Sequence, residues 1–167
     1  MRAYAWRGLE SARFELAFVD LDDDSLTARG TQVSPDWRLE YALDTGRGFV
    51  TERLTAQVET VRGSRTVDVK RGVKPLDGEV LDVDLAFSPL FNSLPILRDR
   101  LHERAGSREY VMAFVDVPEL SVERSKQEYI PLGAGAVRFR AGSSSADLEL
   151  DQDGFVLRYP GLAERVS

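Results

Sequence analysis

The chain of 167 residues is 43% hydrophobic and 30% charged, with 22 lysines and arginines against 28 aspartates and glutamates, a net charge of −6 and a pI near 4.9. This length suits one domain over residues 1–167 that buries about two-thirds of its unfolded surface, which excludes a scaffold dependent on disulfides or metal. The acidic balance disfavours a phosphate-backbone binder, so nucleic acid is not an expected partner. Cysteine is absent, which removes disulfides, thiol nucleophiles and sulfur-ligated metals. No run approaches ~18 apolar residues, so no transmembrane segment is expected. The first residues meet Glu10, Arg13 and Glu15 early, unlike a signal peptide, and the cytoplasm is the expected compartment.

Period-two alternation, the mark of a strand with one buried face, begins at Phe14–Val19. The acidic run Asp20, Asp22, Asp23 and Asp24 follows. It fails as a calcium loop, because Ser25 falls where the sharp turn wants glycine and Thr31 where the bidentate glutamate belongs. Leu39, Tyr41 and Leu43 alternate after Trp37, Gly46 and Gly48 mark a turn, and Leu54, Ala56 and Val58 alternate next. Arg65–Val69 repeats the pattern, and Asp77-Gly78 supports a hairpin. Leu81, Val83, Leu85 and Phe87 are candidates for an inner lining. Ser88–Asn92 reads as a turn into a helix over Leu94–Ala105, with Ser93 as cap, Pro95 in the first turn and Gly106 as stop.

Leu94, Leu97 and Leu101 form the apolar stripe of that helix. Beyond it, Tyr110–Val117 is apolar on nearly both faces, as suits a strand covered twice. Gly133 and Gly135 mark a turn, and Val137–Ala141, Ala146–Leu150 and Phe155–Tyr159 alternate, the last two joined by an Asp153-Gly154 hairpin. About eleven or twelve strands and one helix result, so the sheet must wrap the helix to cover its stripe.

Catalytic signatures are nearly absent. His102 is the sole histidine, which rules out a multi-histidine metal site, and its place beside the stripe fits a boundary residue with one hydrogen bond. Asp82 and Asp84 share one strand face and would serve either as an acid and base or as partners of an arginine. Arg98 is expected to pair with Asp84 first and Asp82 second. Trp6, Trp37, Tyr41, Phe91, Tyr129 and Phe155 would build either an aromatic ligand wall or simply core.

The run Leu81-Asp82-Val83-Asp84-Leu85, then Ser88-Pro89, then Asn92-Ser93-Leu94-Pro95-Ile96, resembles the hallmark of the putative glycolipid-binding family, a bacterial group first named as a domain of unknown function. Weaker matches run along the chain at Ala5-Trp6-Arg7, Leu43-Asp44, Pro118-Glu119-Leu120, Gln127-Glu128-Tyr129, Asp153-Gly154-Phe155-Val156 and Tyr159-Pro160-Gly161-Leu162. Two departures stand out. Leu97 replaces the first of two consecutive arginines, leaving Arg98 alone, and Arg65–Leu76 is short and lacks a tryptophan.

The resemblance implies a mainly β fold, a spiral β-roll whose long, mostly antiparallel sheet wraps one central α-helix. It also implies a homodimer that binds a glycolipid or other amphipathic ligand, with no catalytic residue, cofactor or metal. The residues singled out as ligand contacts are Trp6, Arg53, Asp82, Asp84, Arg98, His102, Gln127 and Tyr129, with Trp37, Phe91, Leu94, Leu97 and Leu101 as core. Two other readings remain open: a structural or protein-interaction module with no small-molecule ligand, and a hydrolase or isomerase using Asp82, Asp84 or His102.

Overall fold

The structure, a computed structural model, describes residues 1–166. Its strands are β1 (Arg2–Gly8), β2 (Phe14–Leu21), β3 (Leu26–Val33), β4 (Trp37–Thr45), β5 (Thr51–Thr60), β6 (Gly63–Lys70), β7 (Asp82–Leu85), β8 (Arg108–Val115), β9 (Val122–Gly133), β10 (Ala136–Ala141), β11 (Ser144–Leu150), β12 (Val156–Tyr159) and β13 (Ala163–Arg165); the helix α1 spans Pro89–Asp99. They form one 13-stranded sheet in the order β6-β5-β4-β3-β2-β1-β13-β12-β11-β10-β9-β8-β7. The spiral roll around one helix is therefore as expected, with strands in slightly greater number. The three-residue β13 is too short to register as alternation.

All neighbours pair antiparallel except β7 and β8, where Asp82 lies opposite Met112 and Leu85 opposite Val115 in parallel register. A parallel pair cannot be joined by a tight turn and needs a long crossover, and α1 is that crossover. Both faces of β8 are covered: Ala113 and Val115 join the main core, and Met112 joins a second cluster with Tyr129 and Phe139. The two-faced apolar run Tyr110–Val117 has this cause.

The helix differs from expectation. It starts at Pro89 and runs through Pro95 to Asp99, so Ser88–Asn92 is not a lead-in turn. Pro95 cannot donate to the Phe91 carbonyl, a defect worth about 3 kcal/mol in an exposed helix. Here every residue from Pro89 to Leu97 is buried, and that packing outweighs the lost bond. Leu90, Phe91, Leu94 and Leu97 face the main core, while Ile96 and Leu101 face the second cluster. Ser93 is not the cap; its Oγ accepts from the Val156 N–H at 3.3 Å and ties α1 to β12. The stop is Arg100 in the left-handed region, not Gly106. His102 consequently lies in the turn beyond the helix. Trp37 is half-buried at the margin of the core, stacked on Phe87.

The expected Asp153-Gly154 hairpin forms between β11 and β12. Asp77-Gly78 makes a turn but no hairpin, since β6 and β7 are the two edges of the sheet. The roll closes where β7 meets the start of β5. There the Thr51 N–H donates to the Leu81 carbonyl at 2.9 Å, and the Arg71 guanidinium donates to the carbonyls of Thr51, Val80 and Leu81 at 2.6–3.0 Å. On β2 the small and polar residues Glu15 and Ala17 turn inward, leaving Phe14 and Phe18 on the outer face, 40% and 45% exposed. Gly30 lets Tyr41 cross its backbone, since an added Cβ would lie 2.3 Å from the ring.

Candidate functional site

Alternation along β9 places Glu123, Ser125, Gln127 and Tyr129 on one face. Register sets Gln127 beside Tyr110 of β8 and Ala141 of β10, and Tyr129 beside Phe139. In β7 the same face carries Asp82 and Asp84, with Val83 and Leu85 turned into the main core. The first turns of α1 complete the enclosure with Ser88 and Asn92. Two depressions result on either side of Gln127. One of about 670 Å³ is lined by Asp82, Tyr110 and Glu128, and one of about 480 Å³ by Asp84, Asn92, Phe114 and Tyr159.

The floor is a chain of hydrogen bonds. Gln127 Nε2 donates to Asp84 Oδ2 at 2.6 Å, the Tyr129 hydroxyl donates to Gln127 Oε1 at 3.2 Å, and Asn92 Nδ2 donates to the Tyr129 oxygen at 3.0 Å. Tyr129 and Gln127 are thereby fixed by bonds to neighbours on two other elements. Burial pushes the Asp84 carboxyl up to about 6, with the Gln127 amide pulling against it and the Asp82 charge adding to it. Burial likewise raises the Tyr129 and Tyr159 phenols, the Asp84 charge adding to both.

Asp82 lies one strand step away and is fully buried. It does not face solvent; it receives both Arg98 terminal nitrogens, at 2.6 and 2.7 Å. Arg98 therefore pairs with Asp82 and not with Asp84, the partner expected first; Asp84 receives the Gln127 amide instead. Burial pushes the Asp82 carboxyl up and the Arg98 guanidinium pulls it down. Arg98 also lies over the Tyr110 ring, 5.3 Å from its centroid, and the Tyr110 hydroxyl donates to Asp99.

A second buried cluster borders the cleft through Ser88. The Glu15 Oε1 accepts from the Tyr41 hydroxyl at 2.7 Å and from Ser88 Oγ at 2.6 Å. Its Oε2, and Oε1 of the cross-strand neighbour Gln32, are buried without a donor among the described residues. Burial pushes the Glu15 carboxyl up to about 7, against the pull of Ser88 and Tyr41.

Of the sequence-derived candidates, Asp82, Asp84, Arg98, Gln127 and Tyr129 come together here. Trp6 is buried in the main core and donates its indole N–H to the Val156 carbonyl at 2.9 Å. Arg53 lies on the outer face of β5 against Asp68 at 2.8 Å, and His102 packs on Gly154, its Nδ1 buried without a partner among the described residues. The sequence reading missed Ser88, Asn92, Glu15 and Tyr159. The sequence places Ser88 and Asn92 in a turn, where a polar side chain needs no partner. Within the described residues no group of three His, Cys, Asp or Glu side chains could hold a metal ion. No described helix is long and apolar enough to cross a membrane.

The model of a family described as "Putative glycolipid-binding" matches residues 3–165. The crystal structure of a DUF1089 family protein from Pseudomonas aeruginosa is similar, at TM-score 0.77 and 25% identity, over 96% of this chain and 95% of that one. No curated protein matches.

Proposed function

The chain belongs to the putative glycolipid-binding family, and from that premise we propose that it holds an amphipathic ligand in the Asp84–Gln127 cleft without chemical turnover. One observation carries this reading: a concave site of about 480 Å³ combines a buried hydrogen-bonding floor with the rings of Phe87, Phe114, Phe139 and Tyr159. Such a mixture suits a ligand with a polar head and an apolar body. Asp84, Gln127 and Asn92 would take hydroxyl or amide groups of the head, and the rings would stack on a sugar face or line an alkyl chain. Tyr129, sealed below them, would position Gln127. Turnover is not part of the proposal: Asp82, the second carboxylate of this strand face, is committed to the Arg98 guanidinium.

Native mass spectrometry of protein purified from its own host, followed by solvent extraction, tests the reading. A single lipid-like species at near-stoichiometric occupancy, displaced in Gln127→Leu, is the expected result. Protein that is empty from the host and that fails to take up a panel of glycolipids would defeat it. The second reading is a homodimer with no small-molecule ligand. It is favoured by Phe14, Phe18 and Val33, which lie on the outer face of β2 and β3 at 40%, 45% and 40% exposure. Empty protein with a dimeric mass would put this reading first.

A further inference from the structure

The charges around the cleft are of one sign. Asp84, Asp116 and Glu123 line it, and among the described residues no lysine, arginine or histidine does. Nearby cations are engaged elsewhere. Arg124 alternates to the opposite face of β9 and meets Asp77 at 2.7 Å, Arg140 lies 3.4 Å from Glu128, and Arg13, which does not line the cleft, stacks on Phe87, 3.8 Å from the ring centroid.

Asp84 is the deepest of the three carboxylates and only 8% exposed. Asp84 lines the cleft, and the Gln127 amide on its Oδ2 is the one side-chain hydrogen bond its carboxylate makes among the described residues. A buried carboxylate that meets only one neutral donor is under-compensated, and a positive charge is the partner that relieves it most. The walls agree, because aromatic faces attract cations as well as apolar groups.

We infer that the head group recognised here carries a protonated amine, set against the Asp84 carboxylate with Asp116 and Glu123 at the rim. This rests on the cleft being the ligand site. It narrows the ligand to a cationic amphiphile, such as an aminosugar or amino-alcohol joined to an apolar chain. Anionic heads are excluded by three like charges, and N-acylated heads lose the ionic contact. A primary ammonium offers three donors, enough for Asp84 and one rim carboxylate while its carbon neighbours face the rings.

Isothermal titration with three short-chain probes, each below its micelle concentration, tests the inference: n-octyl glucosaminide, its N-acetyl derivative and n-octyl glucoside. The amine is expected to bind about tenfold or more tightly than either neutral probe, as a charge-assisted bond allows. Asp84→Asn should erase that preference, bringing the affinity for the amine down to that for the N-acetyl probe measured on the same variant. Glu123 is exposed, so Glu123→Gln keeps the test open should the Asp84 variant not fold; it should cost the amine about two- to threefold and the neutral probes nothing. Equal affinity of wild-type protein for all three probes overturns the cation assignment and leaves the amphiphile reading standing. Binding of none of them overturns both.

Discussion

Arg98 sets its two terminal nitrogens against the two oxygens of Asp82, with the Asp82 side chain 0% and the Arg98 side chain 12% exposed. The pair links α1 to the edge strand β7, inside the parallel β7–β8 unit that the helix itself connects. Its worth lies mainly in what each charge would cost alone, since a buried ion without its partner destabilises by about 3–5 kcal/mol. Arg98→Met is therefore expected to lower the unfolding free energy by about that amount, and Asp82→Asn by a similar one. The double variant should lose far less than the sum. Denaturant unfolding of the four proteins measures this, and strictly additive losses would contradict a coupled pair.

Much of this architecture is legible in the chain. Alternation marks most strands, and the Leu94, Leu97, Leu101 spacing marks the helix, because sheet and helix periods survive in any strand or helix with one dry face. Three things were not legible. The helix start was hidden by Pro95, whose penalty is offset only by burial on all sides, a tertiary fact. The ranking of Asp84 before Asp82 as partner of Arg98 was wrong, since both share one strand face and the choice depends on how α1 crosses β7. The inward turn of Glu15 contradicts the usual preference, as Phe14 and Phe18 are the larger apolar residues. It is met by hydroxyls from two distant elements, Tyr41 and Ser88, which donate to the Glu15 carboxylate.

Glu15 predicts a pH dependence of stability. Its carboxyl is raised from an ordinary 4.5 to about 7 in the folded protein, so the fold retains a proton that the unfolded chain releases. The contribution of this group is full below about pH 4.5 and is lost as the pH rises through about 7. Glu15→Gln removes the ionisable group while keeping its shape. The variant should match wild type near pH 4.5 and become more stable than it above pH 7, by on the order of 2–4 kcal/mol. Thermal unfolding across that range is the measurement; a stability difference that does not change with pH would contradict the assignment.

Arg71 predicts where the roll opens. Its guanidinium donates to the carbonyls of Thr51, Val80 and Leu81, where the start of β5 approaches β7. Hydrogen bonds from a charged donor contribute about 1.5–3 kcal/mol each in favourable cases. Arg71→Met should destabilise by about 2–4 kcal/mol and selectively speed hydrogen exchange at the Thr51 and Val83 amides, which bond across the same seam. Arg71→Lys should recover part of the loss. Unchanged exchange at those two amides would show that the seam does not depend on Arg71.

The central claim, that the Asp84–Gln127 cleft receives the polar head of an amphiphile, is tested most directly by nitrogen-15 NMR during titration with n-octyl glucosaminide below its micelle concentration. The side-chain amide signals of Gln127 and Asn92 should shift together and saturate, with backbone changes centred on β7, β9 and the start of α1. Shifts confined to the outer face around Phe14, Phe18 and Val33, with the Gln127 and Asn92 amides unmoved, would contradict it.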